Sequence, residues 1–322
     1  MLGEGVTNEE CEVFAAYFGI IEIRWKATKS LVILRNYLLQ KISRFWIDGI
    51  IKDMSLTHNY IFGLVPQAPR VYVIRIDSFF VYFLNLENIP KSPKFERFTN
   101  AAMETESMNG KMVNSDAEVP ELTHCTMQQP GKIKSNLAKV EDFLICATSR
   151  SCFLAKNTVN SEPSFYRIFT DNEADDFQVL QLGSTESIRQ LSAGNDHVLI
   201  LTVSGAVYSM GTGSHGELGH ASLESEQQPR LIERLDGLVV VQVACGGWHS
   251  AALTDNGDVY LWGWNKYGQL AGCCEVGEIL DVPVPLDIEE SVVGLTARGN
   301  ATWLKRVDHS VLTLGGSATA SL

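Results

Sequence analysis

A glycine run, a histidine–serine pair and a scatter of histidines and cysteines are the features of this chain that could do chemistry by type and spacing. Gly211-Thr-Gly213-Ser-His-Gly216 satisfies the G-x-G-x-x-G pattern of a dinucleotide cradle and follows a strand-like run. Such a cradle must open a helix, whose first N–H groups hold the pyrophosphate. The residues that follow, Glu217 to Pro229, hold an early glycine and a later proline, so the run reads as a turn and no cofactor is expected. His215, His220, Cys245 and His249 could be zinc ligands by type, but no C-x-x-C accompanies them. Cys273 and Cys274 are adjacent, a poor spacing for two ligands on one tetrahedral ion. His249 beside Ser250 resembles a base and nucleophile, yet neighbours on a strand point to opposite faces, and no G-x-S-x-G elbow is present. Asp175-Asp176 and Glu289-Glu290 read as solvated loop charge. The expectation is a protein that is not an enzyme, with no catalytic, cofactor-binding or metal residues.

What must position these residues is an internal repeat. Leu191–Gly211 and Val243–Gly263 align without a gap at an offset of 52. Gly194 meets Gly246, His197 meets His249, Gly205 meets Gly257, Val207-Tyr208 meet Val259-Tyr260, and Gly211 meets Gly263. Gly216 and Leu218 then meet Gly268 and Leu270. Within each unit two β-prone runs flank a turn, Val-Ser-Gly205 in one and Asp-Asn-Gly257 in the other, where glycine and asparagine supply positive φ. Gly211 and Gly263 sit where a side chain would obstruct a close backbone approach. A period of about 50 residues with about four strands is a propeller blade. Gly194, His197, Gly205, Gly211, Gly246, His249, Gly257, Trp262, Gly263 and Gly268 are therefore read as structural positions of the blade.

A decayed copy follows at an offset of 53, with Ala297 onward matching Ala244 onward, Asp308 matching Asp255 and Gly316 matching Gly263. Upstream, Asp142–Leu154 is read as one hairpin of an earlier blade. Trp262 matches Met210 and should pack between blades. Trp248 and Trp264 have no aromatic counterpart in the preceding unit, where Asn195 or Asp196 and Thr212 stand. Tryptophan is enriched in interface hot spots, so these two are the candidate partner contacts, with extra core between blades as the competing reading.

The stretch from Gly246 to Leu270, with Gly-Gly-Trp-His-Ser and Asp-Asn-Gly-Asp-Val-Tyr-Leu-Trp-Gly-Trp-Asn-Lys-Tyr-Gly-Gln-Leu, resembles the repeat of the regulator of chromosome condensation family. The similarity is strongest over 186–275, weak over 140–185 and 276–322, and absent before that. It implies an all-β fold over most of the chain. A seven-bladed ring of this period needs well over 322 residues, so the expectation is an incomplete seven-bladed propeller, either a truncated or mis-assembled product or a part completed by a partner. The linked Gly-Gly-Trp-His and Trp-Gly-Trp-Asn are most similar to a small member of the family. That resemblance implies a chromatin scaffold partnering a jumonji-type oxygenase, or histones, and a link to histone H3 methylation and chromosome segregation. The family also contains an exchange factor for a Ran-type small GTPase, which is the alternative; a non-functional fragment is the third reading.

Composition bounds the rest. A net charge of −12 argues against sequence-independent DNA binding but is compatible with basic histone tails. No apolar run reaches the length of a membrane helix, the first residues lack a secretory pattern, and seven scattered cysteines do not form a disulfide framework. A nuclear location is expected, with cytosol as the alternative. Residues 1–64 belong to no repeat, and Lys29 to Ile51 reads as a helix with Leu31, Leu34, Leu38, Ile42 and Phe45 on one face. Seven basic residues (Arg24, Lys26, Lys29, Arg35, Lys41, Arg44, Lys52) against Glu22 and Asp48 give this section a local charge of +5. Residues 65–139 are read as uncertain strands, with a hairpin in Val71–Leu86, followed by a polar linker over 99–136; 140–322 holds the propeller repeats.

Overall fold

The structure, a computed structural model, describes the strands between residues 11 and 107 with residues 50–52, and residues 143–316 apart from 158–162 and 170–176. The chain divides into two compact units, Met1–Met54 with Asn59–Lys132, and Ser55–His58 with Ile133–Leu322.

In the first unit the described segments are strands. Cys11–Ala16, Gly19–Lys26, Lys29–Asn36 and Lys41–Asp48 form an antiparallel meander, and Glu104–Ser107 pairs with Lys41–Arg44 at its far edge. The helix expected over 29–51 is therefore two strands. Val32, Ile33 and Leu34 are all buried, so the strand between two neighbours is apolar on both faces. A run buried on both faces carries no alternation, and its leucine spacing then mimics a helical stripe. A second sheet contains Tyr60–Val65, Arg70–Arg75, Val81–Asn85 and Glu96–Arg97, with the hairpin expected in Val71–Leu86 formed by its middle pair. Of the expected linker over 99–136, Glu104–Ser107 is a strand; the rest lies outside the described residues.

Among its described residues the second unit is a succession of four antiparallel blades. The first comprises Phe143–Ala147, Ser151–Lys156, Ser164–Phe169 and Phe177–Leu180, and the second Ile188–Ala193, His197–Thr202, Val207–Gly211 and Glu226–Leu231. The third comprises Val240–Cys245, His249–Thr254, Val259–Trp264 and Ile279–Pro285. The fourth has three strands among the described residues, Val292–Arg298, Ala301–Arg306 and Val311–Gly315. The hairpin turns of the second and third blades carry positive φ at their glycines, Gly205 (96°) and Gly257 (90°), and not at Asn256, while in the fourth blade His309 (71°) takes that place. In the fourth blade Ala301 pairs with Gly315 as His249 pairs with Gly263. Gly315, not Gly316, thus takes the place of Gly263, and the offset there is 52 rather than 53. The decayed copy has no histidine to anchor the alignment, and a one-residue slip exchanges the two faces of a strand.

A core fills the space between each pair of blades. Phe153, Phe165, Val198 and Met210 pack between the first and second, Leu199, Ile232, Val243 and Trp262 between the second and third, and Leu253, Leu261, Leu295 and Leu314 between the third and fourth. Each such fully buried side chain contributes about 1.5–3 kcal/mol. Trp262 is fully buried as the counterpart of Met210, as its alignment implies.

Polar contacts repeat along the same seams. Ser149 N donates to Asn195 O (2.6 Å), Asn195 N to Gly247 O (3.1 Å) and Gly247 N to Gly299 O (2.6 Å), one backbone rung per junction. The Gln190 side-chain amide clips both backbone groups of Val243, and Gln242 does the same to Leu295. His197 Nε2 lies 2.9 Å from Ser250 Oγ, which donates to Glu217 O at 2.8 Å. His249 Nε2 lies 2.8 Å from Thr302 Oγ1, which donates to Gln269 O at 3.3 Å. Each hydroxyl has one proton and spends it on a carbonyl, so each imidazole must donate from Nε2. The rings lie flat on Gly194 and Gly246, where a Cβ would stand 2.2 Å and 1.9 Å from His197 Cε1 and His249 Cε1. Burial depresses both imidazoles, His249 to about 4 and His197 to about 3.

Truncation of His249 to alanine empties the space over Gly246 and removes the donor to buried Thr302. It is expected to cost about 2–4 kcal/mol, read by urea unfolding. Unfolded, an imidazole titrates near 6.5, whereas these two resist protonation until about 4 and 3. Between those values the unfolded chain binds more protons, so stability present above pH 6.5 is lost as the pH falls toward 4, by about 3 kcal/mol for His249 alone. His249→Gln, which keeps an N–H donor, should flatten that acid limb in denaturation curves collected from pH 4 to 7.

Candidate functional site

The two tryptophans that interrupt the repeat converge. Trp248 precedes the His249 strand and Trp264 ends the Val259–Trp264 strand, and Trp264 N donates to Trp248 O at 2.9 Å. Gly263 permits this approach: with φ at 104°, a Cβ there would lie 2.7 Å from Trp248 O. Gly211 does the same against Asp196 O in the second blade. Both indoles are half-buried, and each packs on the ring of His215, whose centroid lies 4.6 Å from Trp248 and 4.7 Å from Trp264 at tilts of 38° and 34°. Lys266 Nζ stands 4.7 Å over the Trp264 ring.

His215 reaches this place on the second-blade loop that follows Gly211. Gly216 turns it with φ at 74° and lies so close to the third blade that a Cβ would meet Leu280 O at 2.7 Å. The loop is pinned at the next residue as well. Glu217 O accepts from both Ser250 Oγ (2.8 Å) and Trp262 Nε1 (2.9 Å). The G-x-G-x-x-G pattern is thus a loop laid against the neighbouring blade. The equivalent loop of the third blade carries Gly268, with φ at 81°, where a Cβ would meet only Val276 Cγ2 at 4.0 Å.

Behind the ring sits a buried carboxyl. The Glu217 side chain has no exposure; its Oε2 accepts from His215 N at 2.7 Å, while Oε1 has no hydrogen-bond partner and lies 3.9 Å from His215 Nδ1. Desolvation, aided by the negative Asp196, raises this carboxyl to about 7. Desolvation lowers the His215 imidazole as well. Near neutrality the carboxyl therefore exchanges between acid and carboxylate beside an imidazole whose burial favours its neutral form. Asp196 is itself engaged, accepting from Ser149 Oγ (2.6 Å) and Arg150 Nε (3.4 Å).

The residues weighed as zinc ligands are held apart by different partners. His215 stacks on the tryptophans, His220 bonds Ser209 (2.8 Å), Cys245 Sγ bonds Ser192 O (3.2 Å) and His249 bonds Thr302. His249 and Ser250 diverge, as neighbours on a strand must, and Ser250 meets His197 of the preceding blade instead. With its proton committed to Glu217 O, that serine is a structural link rather than an activated nucleophile. Of this cluster, Trp248 and Trp264 were singled out from the sequence as candidate partner contacts, whereas Glu217 and the ring-stacking role of His215 were not. The signal was present in the repeat: Glu217 stands where the next unit has Gln269, and His215 where it has Tyr267.

Comparison with known proteins agrees with this architecture. Profiles of the regulator of chromosome condensation (RCC1) repeat match residues 204–253, and residues 188–217 and 240–269. The chain therefore carries RCC1 repeats over these residues. It is 56% identical over 84 residues to the mouse RCC1 domain-containing protein 1, and 55% identical over 83 residues to the human one, covering 26% of this chain. The match spans only 22% of either relative. Among solved structures, human WBSCR16 is similar in fold, with a TM-score of 0.56 and 17% identity over 86% of this chain and 66% of that one.

Glu217→Gln tests the buried carboxyl. Unfolded, the acid titrates near 4.5; folded, it holds its proton to about 7, so between these values the folded chain binds more protons and stability falls as the pH rises. Glutamine carries no such cost, and Gln269 already fills the equivalent place, its Oε1 accepting from Tyr267 N at 2.7 Å. The variant is expected to match the parent near pH 4 and to exceed it at pH 8 by about 3 kcal/mol, measured by denaturant midpoints at both values.

Proposed function

We propose that the chain is a non-catalytic interaction scaffold of the nucleus, associated with chromatin, whose partner is a jumonji-type oxygenase acting on chromatin proteins. The observation that carries this reading is the pair Trp248 and Trp264. They lie outside the blade's packing positions, are half-buried, and are brought to one spot with His215. A cluster of large aromatics at the edge of a rigid sheet is how interfaces concentrate binding energy. The oxygenase as partner is what the Gly-Gly-Trp-His and Trp-Gly-Trp-Asn resemblance implies, and through it a role in histone H3 methylation and chromosome segregation. A net charge of −12 suits basic histone tails better than a DNA backbone.

The test is capture from nuclear extract on the tagged full chain, with bound proteins identified by mass. A jumonji oxygenase should be recovered, and its yield should fall at least tenfold in the Trp248→Ala, Trp264→Ala double variant, the loss expected for one hot-spot residue or more. Undiminished recovery from that variant would move the contact elsewhere. Recovery of a nucleotide-free small GTPase in its place would overturn the scaffold reading in favour of nucleotide exchange.

A further inference from the structure

We infer that the slot between Trp248 and Trp264 is a binding site for the guanidinium group of a partner's arginine side chain, and that His215 occupies it as a resident stand-in. The inference rests on the interaction reading above and names the chemistry that the aromatic cluster would recognise. Two indole faces already hold a flat, nitrogen-bearing ring at centroid distances of 4.6 and 4.7 Å, within the ~6 Å at which a cation gains from an aromatic quadrupole. A guanidinium is planar like the imidazole it would replace, and it stacks on aromatic faces as a tetrahedral ammonium cannot. The Trp264 ring already takes a cation of the chain's own, Lys266, whose Nζ stands 4.7 Å from its centroid and 5.2 Å from that of Tyr267.

A second observation is independent of the rings. Glu217 Oε1 is fully buried, has no hydrogen-bond partner, and lies 3.9 Å from His215 Nδ1, beyond hydrogen-bond reach. A buried acceptor left open is costly, and its twin oxygen is already engaged by His215 N. A guanidinium N–H entering in place of the imidazole would fill that vacancy with a charge-assisted bond. The carboxyl would release its proton to solvent as the cation arrives, so the buried charges are paired. The other charged groups nearby do not compete for the role: Asp196 is held by Ser149 and Arg150, and Lys266 stands over Trp264.

The stand-in can leave without disturbing the fold. The His215 side chain is about a quarter exposed, and beyond the ring contacts it bonds only the neighbouring Ser214 Oγ at 3.0 Å. Its backbone, by contrast, is held by the bond from His215 N to Glu217 Oε2 and by the two residues that follow, through the close approach of Gly216 to Leu280 and the two bonds to Glu217 O. Rotation of one side chain opens the slot.

The probe is N-acetyl-arginine methylamide, titrated into the full chain at pH 7.5 and followed by tryptophan fluorescence and calorimetry, beside the lysine and citrulline analogues. Saturable binding of the arginine amide is expected, with the lysine amide about tenfold weaker or more and neutral citrulline weaker still. His215→Ala should tighten binding about tenfold by vacating the slot, while Trp264→Ala and Glu217→Gln should each weaken it about tenfold. Glu217→Gln restores the residue of the sister blade, so its loss of binding cannot be ascribed to misfolding, and unfolding midpoints report the fold of the others. Equal binding of lysine, unchanged binding in Glu217→Gln, or no binding by His215→Ala overturns the assignment. Arginine binding needs no oxygenase, so the two readings fail separately: the amide can bind a chain that captures no oxygenase, and the reverse.

Discussion

Every junction between the later blades depends on an imidazole that must remain neutral. His197 and His249 each donate one proton to a hydroxyl of the next blade, and that hydroxyl passes its own to a carbonyl of the loop between them. Three elements that are far apart in sequence are thereby fixed by two hydrogen bonds with no spare proton. The glycine beneath each ring exists because the ring needs its space. Where the histidine is missing, the chain of contacts stops: Ala301 stands in its place in the fourth blade, which receives from His249 through Thr302 but has no ring to pass on.

The same relay explains why an ordered cluster of rings can form on a loop. A loop whose carbonyl is held by Ser250 and Trp262 is as rigid as the strands that hold it. The Glu217 side chain springs from that anchor and His215 lies two residues before it, so the ring and the carboxyl are presented from a fixed backbone. Placement of the carboxyl has an energetic consequence. The imidazoles favour a pH above 6.5, whereas Glu217 in its dry pocket favours a lower one. The two demands oppose each other between about 4.5 and 6.5, and the histidines, being two against one, prevail in that interval.

Legibility in the sequence followed the demands of these contacts. The second and third blades were readable because a histidine over a glycine, a glycine in the turn and a glycine after the second strand leave no freedom of residue type. The first blade was only half visible, since Thr148 and Ser151 occupy the glycine and histidine places, as the bond from Thr148 N to Ser151 O shows by analogy with Gly194 and His197. The fourth slipped by one residue for lack of the same anchor. The strand Lys29–Asn36 was misread because burial on both faces erased the alternation that distinguishes a strand from a helix. The glutamine clips of Gln190 and Gln242 repeat at the blade spacing, yet glutamine is so common on surfaces that spacing alone gave them no weight.

The site itself had to be sought in the opposite way, through the positions where the repeat fails. His197 aligns with His249, so Asp196 stands where Trp248 does, and Thr212 stands where Trp264 does. His215 and Glu217 replace the Tyr267 and Gln269 of the following loop. These four departures come from separate segments, two from the second-blade loop and two from the ends of strands in the third blade, yet they meet within one cluster. One of them, Glu217, carries a desolvation cost in its ionised form that the glutamine of its sister blade does not. A repeat thus offers a control that a single domain lacks: the sister blade shows which other residues the same backbone accepts at each of these positions.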